Sequence, residues 1–213
     1  LTQLALHGIY NPTKGPLEQW LHYAASHEAR SHDLKTAIAN DSVNVIWAFV
    51  GGAGCTQIVE MLERERYTPP KAAHPKLLVG FSDTVALMHL WQKWHWPVLH
   101  APCLGLTQDT APHIPLNEKT PLRSVTDIVL GESAEVSYKA LEVLYSPSNN
   151  THISGTITGG ILTLVKEAVG TGTPPVFSEI LFLENYGKTD PVYLVREIAY
   201  LCRVGVISPH TKA

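Results

Sequence analysis

One serine stands where an apolar run gives way to a helical pattern. Residues 76–84 read Lys-Leu-Leu-Val-Gly-Phe-Ser-Asp-Thr. The run Leu77, Leu78, Val79 is strand-like, and Val85, Leu87, Met88, Leu90 and Trp91 follow with helical spacing. A serine on such a strand-to-helix turn has its hydroxyl presented at the top of a sheet. The backbone N–H of the next residue, Asp83, can then face a developing oxyanion. Nucleophilic acyl transfer is one use of this arrangement. Plain helix capping is the other, since Ser82 and Asp83 both carry oxygens that satisfy free N–H groups. Thr84 occupies the place of the second glycine in the G-x-S-x-G elbow, so this segment alone leaves both uses open.

Gly51-Gly52-Ala53-Gly54 also follows an apolar run and opens a helical pattern. Its N–H groups could cradle an oxyanion or a phosphate. It lacks both the G-x-G-x-x-G spacing of a dinucleotide site and the Lys-Ser/Thr of a P-loop. A tight turn that lets backbone pass close to a neighbour is the plain alternative. Glu184 ends the apolar run Leu181-Phe182-Leu183, where a carboxylate can enter a cleft or simply meet solvent. His100, in His100-Ala101-Pro102, is either cleft-facing or structural. The eleven histidines show no metal-ligand spacing, because His22, His27 and His32 fall five apart and do not stack on one helix face. Trp91, Trp94 and Trp96 read as core.

The elements that must position these groups alternate. Residues 16–40 are helical with a break near Ser26, and 43–50 form a buried strand. A helix covers 56–66, a strand 77–81, a helix 83–94 and a short strand 98–101. Such alternation predicts an α/β domain with a parallel sheet. Residues 102–126 are rich in Pro, Thr and Asp, lack periodicity and read as a connection. A second unit then has strands at 138–145 and 153–157, a turn at Gly159-Gly160, and a helix at 161–169. A strand at 180–184 and an amphipathic helix at 191–204 complete it. The expected division is 1–110, a linker 111–126, and 127–213. The expected class is α/β, with an N-terminal parallel-sheet domain and a smaller mixed C-terminal α/β domain.

Composition narrows the partners. The chain has 213 residues, 45% of them hydrophobic, which supports a sizeable core. A net charge of -3 without a basic stripe argues against nucleic acid. No apolar run reaches membrane-spanning length. Three scattered cysteines argue against a disulfide framework. The chain opens at Leu1 without Met or a leader pattern, and both ends read as abrupt, as in a piece of a longer protein.

Four segments together resemble the LD-carboxypeptidase family of serine peptidases. The first is Arg30-Ser31-His32-Asp33-Leu34 with Val45-Ile46-Trp47 and Gly51-Gly52-Ala53-Gly54. The second is Pro75-Lys76-Leu77-Leu78-Val79-Gly80-Phe81-Ser82-Asp83-Thr84, and the third is His100-Ala101-Pro102. The fourth runs from Gly155 through Gly159-Gly160 and Gly170-Thr171 to Ile180-Leu181-Phe182-Leu183-Glu184, with Arg196 in the helix after it. The ordered set spans residues 30 to 201.

The resemblance implies a cytoplasmic, two-domain enzyme that releases D-Ala from murein tetrapeptides by cutting an L,D peptide bond. A branch of the family acts instead on the peptide-nucleotide microcin C. Ser82 would be the nucleophile and Glu184 the residue that orients a histidine base. Asp83 and the loop Gly51, Gly52, Ala53, Gly54 would form the oxyanion and substrate-binding elements. No metal or cofactor is implied, the partner is a murein-derived peptide, and a homodimer stays open. Val50 replaces a basic residue, Ile161 an asparagine and Asn185 an acid in the family pattern. The family's Gly-His histidine has no match before Ala213, so the chain as it stands is expected to be inactive. A non-catalytic binder of the same fold is the alternative.

Overall fold

The computed structural model describes residues 23–105, 121–135, 137, 153–174, 179–185, 190–208 and 211. The chain divides into two compact units, Leu1–Asn117 and Glu118–Ala213.

In the first unit, helix α1 (His27–Ala39) starts at the expected break. Ser26 is its N-cap, and its hydroxyl accepts from the Ala29 N–H at 3.2 Å. Ser31, Leu34 and Ile38 form its buried face. Strand β1 (Val45–Trp47), helix α2 (Cys55–Arg64), strand β2 (Leu77–Gly80), helix α3 (Val85–Lys93) and strand β3 (Val98–His100) follow. The sheet is parallel in the order β1-β2-β3, with Ile46 opposite Leu78 and Gly80 opposite His100. The buried strand expected over 43–50 is shorter and less covered: β1 is half-buried, Phe49 and Val50 beyond it are exposed, and only β2 is buried over most of its length.

The core of this unit lies between β2 and the helices. Leu78 and Val79 are buried on the sheet, as are Val85, Met88, Leu90 and Trp91 on α3. Trp91 is fully buried, and its indole N–H donates to the Lys76 carbonyl at 3.0 Å. Trp94 lies tilted against it and Trp96 meets it edge-on, at ring-centroid distances of 5.1 and 5.9 Å. The tryptophans are therefore core, and truncating Trp91 would cost about 3–5 kcal/mol. The Lys76 side chain is also sealed in, with its ammonium donating to the Asn40 carbonyl at 2.9 Å. Burial lowers its pKa, and the nearby Asp41 carboxylate opposes that shift.

The second unit contains helix α4 (Pro121–Val129), strand β4 (Ile157–Ile161), helix α5 (Leu162–Ala168), strand β5 (Ile180–Glu184) and helix α6 (Pro191–Arg203). β4 and β5 pair in parallel, so β4-α5-β5 is one crossover unit. Leu162, Val165, Leu201 and Val206 form its core, with Leu181, Leu183 and Leu194 packed against them. Asp190 caps α6 by accepting from the Val192 N–H at 2.8 Å, and Pro191 follows at the first helical position.

Three local expectations change. The strand placed at 153–157 lies at 157–161, and Gly159-Gly160 is not a turn but part of β4. Both glycines have positive φ, 141° and 125°, and pair with Phe182 and Leu183. A β-carbon at Gly159 would fall on the Phe182 carbonyl, so the glycine serves close approach of two backbones. Helix α4 also begins within the stretch read as connection. The strand expected at 138–145 and the helical residues 16–22 lie outside the described residues.

Candidate active site

The site of the first unit is built at the C-terminal edge of its parallel sheet. β2 ends at Gly80, Phe81 continues extended at φ −156°, and Ser82 then turns to φ +60°. A non-glycine residue in the left-handed region costs roughly 1–2 kcal/mol, so packing must hold it there. Residues Ser82–Thr84 form a single 3-10 turn that runs directly into α3. This is the abrupt strand-to-helix switch that the sequence predicts, with Ser82 at its apex and half-buried.

Gly80 and Thr84 make the sharpness possible. A β-carbon on Gly80 would meet Ala48 Cβ and both branches of Thr84 at 3.0 Å. Thr84 is buried, so the residue that breaks the G-x-S-x-G pattern fills the space over Gly80. The small residue that the turn needs is on the strand side.

Hydrogen bonds across the sheet edge fix the neighbouring loops. The Ala48 N–H donates to the Val79 carbonyl at 2.8 Å, and the Ala101 N–H to the Gly80 carbonyl at 2.8 Å. The Leu104 and Gly105 N–H groups reach the Ala48 and Phe49 carbonyls at 3.0 and 2.6 Å. Trp47 donates its indole N–H to the Pro102 carbonyl at 2.8 Å. The segments after β1, β2 and β3 are thus bound into one ledge.

On this ledge the glycine loop meets the serine. A β-carbon on Gly51 would lie 2.9 Å from Ser82 Cβ and 2.9 Å from its Oγ. Gly52 (φ 119°) and Ala53 are exposed, and Gly54 turns at φ 108° into α2. A β-carbon on Gly54 would strike the Arg30 guanidinium, which lies 5.6 Å over the Tyr23 ring centroid. Arg30 therefore supports the loop from α1. Phe49 and Val50, just before the loop, are 66% and 59% exposed and form an apolar rim.

Asp83 is buried, and its carboxylate Oδ2 accepts from the Cys55 N–H at 2.9 Å. That N–H belongs to the first turn of α2, whose N-cap, Gly54, has no side chain to offer. Burial pushes the Cys55 thiol well above its usual pKa, the Asp83 carboxylate adds to the shift, and Arg30 opposes it. Of the Ser-Asp pair, only Asp83 is seen to cap a helix. Asp83 caps, but it caps α2 from a distance, and Ser82 is left at the apex. The sequence showed Asp83 as a capping residue but not that the helix it caps is α2, and it did not show the support from Arg30. The adjacency Ser82-Asp83 and the Arg-x-x-Asp-Leu segment were the signals available.

His100 lies on the same edge, opposite Gly80 in register and exposed. Glu184 is the last residue of β5 in the second unit, half-buried and opposite Ile161. Ser82, Asp83, Gly51 and Gly54 are gathered in the first unit, and Glu184 stands at its strand end in the second. No described helix is long and apolar enough to cross a membrane.

Residues 3–101 match the LD-carboxypeptidase N-terminal domain. A murein tetrapeptide carboxypeptidase of Pseudomonas aeruginosa is 30% identical over 88% of this chain and 61% of its own length. The chain thus spans about three-fifths of that relative. Two solved structures share the fold. A muramoyltetrapeptide carboxypeptidase from Oxalobacter formigenes superposes with a TM-score of 0.60 at 22% identity, over 86% of this chain and 58% of that one. An MccF-like protein from Streptococcus pneumoniae, solved with AMP, gives 0.61 at 19% identity over 84% and 63%. The matched residues include Gly51–Gly54, Ser82 and Asp83, and over residues 3–101 the chain belongs to the LD-carboxypeptidase N-terminal domain family.

Proposed function

We propose that this protein is a cytoplasmic serine LD-carboxypeptidase that releases D-Ala from L,D-linked murein tetrapeptides. The observation that carries the proposal is the left-handed Ser82 turn with Gly51 packed against its hydroxyl. Ser82 Oγ attacks the scissile carbonyl. The Asp83 N–H and an N–H of the Gly51–Gly54 loop stabilise the oxyanion. A histidine takes the serine proton and returns it to the leaving D-Ala amine, and Glu184 orients that imidazole. In the family pattern the histidine follows the Glu184 segment by several dozen residues, so the full-length protein is the form to assay.

The test is D-Ala release from a murein tetrapeptide by the full-length protein. Release supports the reading, and no release from any L,D-linked peptide overturns it. The shared fold with an MccF-like protein solved with AMP makes a peptide-nucleotide the second substrate to offer. Cleavage of that compound alone would move the assignment to the microcin C-type branch.

A further inference from the structure

Asp83 enters the proposed mechanism through its backbone N–H, yet its side chain does something separate. The carboxylate accepts the Cys55 N–H at 2.9 Å in a buried setting. Cys55 immediately follows the glycine loop, and Gly51, at the loop's other end, packs on Ser82. The loop is therefore tied at both ends to the consecutive residues Ser82 and Asp83. An ionised acceptor at a helix N-terminus makes a strong, charge-assisted bond that the helix dipole favours. Gly54 cannot supply this cap itself, and with glycines at three of its four positions the loop has little stiffness of its own.

We propose that the Asp83 carboxylate is a positioning residue, which clamps the glycine loop against the Ser82 turn so that the oxyanion donors of both segments keep one fixed geometry. The proposal rests on the reading of Ser82 as nucleophile. A preorganised oxyanion site acts on the transition state, so losing the clamp lowers kcat and leaves peptide binding nearly unchanged. A misplacement of about 1 Å costs on the order of 100-fold.

The experiment compares Asp83→Ala, Asp83→Asn and Ser82→Ala in the full-length protein, measuring kcat and KM for D-Ala release. Asp83→Ala is expected to lower kcat roughly 100-fold with KM within about threefold. Asp83→Asn keeps an oxygen that accepts the Cys55 N–H, and is expected to recover at least about tenfold of that loss. Hydrogen exchange of the Cys55 amide in the unaltered protein gives a readout that no variant can spoil, and protection is expected. An Asp83→Ala enzyme with kcat within threefold of the parent, an Asn variant no better than Ala, or a freely exchanging Cys55 amide overturns the clamp. Retained activity in Ser82→Ala overturns the nucleophile reading instead, so the two failures are told apart.

Discussion

Gly51 leaves room for Ser82 and for nothing larger, since a β-carbon at position 51 would sit 2.9 Å from both Cβ and Oγ of the serine. The glycine is thus a fitting surface for the hydroxyl. Gly51→Ala must push the serine or the loop aside, and we expect it to lower kcat on the order of 100-fold with a melting temperature within a few degrees of the parent. Steady-state kinetics beside a thermal melt checks this. Unchanged kcat would show that the contact has no part in the reaction.

Gly80 tests the turn rather than the chemistry. Any side chain there meets Ala48 and Thr84 at 3.0 Å. Gly80→Ala should destabilise the protein by about 1–3 kcal/mol through overpacking, read as a lower urea midpoint. Pairing it with Thr84→Ser, which removes one of the two opposing branches, should recover part of the loss.

The serine turn was legible because it depends on neighbours in sequence. The apolar run 77–79, the helical spacing after Val85 and the Ser-Asp pair all point to one switch, and the structure places it at Gly80–Val85. The tryptophan core was legible for the same reason. Gly159-Gly160 was not, because its conformation is set by the Phe182 backbone pressing from a strand far along the chain. The Asp83 bond to Cys55 was hidden likewise. It joins two loops that only the parallel pairing of β1 and β2 brings side by side.

Two buried thiols set a pH dependence of stability. Burial raises the pKa of Cys55, with Asp83 adding and Arg30 opposing, and raises that of Cys103 against a hydrogen bond from Phe81. The unfolded thiols ionise near about pH 8.5, while the native ones stay protonated. The native state then holds more protons, so this stability is complete below about pH 8.5 and is lost as pH rises toward the folded values. Urea midpoints should fall as pH rises above roughly pH 8.5, and Cys55→Ala should flatten the fall. Lys76, whose pKa is lowered by burial, runs the other way at higher pH. An equal slope in Cys55→Ala would contradict the assignment to that thiol.

Glu184 is predicted to orient rather than to react. Glu184→Gln keeps the shape and a hydrogen-bond acceptor while removing the charge that steadies an imidazolium. Its loss of kcat in the full-length protein should be roughly ten- to hundredfold smaller than that of Ser82→Ala. Equal or greater loss would give Glu184 a more direct role.

The central claim is that Ser82 is the nucleophile, and the rate of D-Ala release by full-length Ser82→Ala tests it most directly. Removing one member of a triad disables the whole unit, so the rate should fall by about 10⁴-fold or more while calorimetry still detects peptide binding. A Ser82→Ala protein that turns over within tenfold of the parent would contradict the serine mechanism.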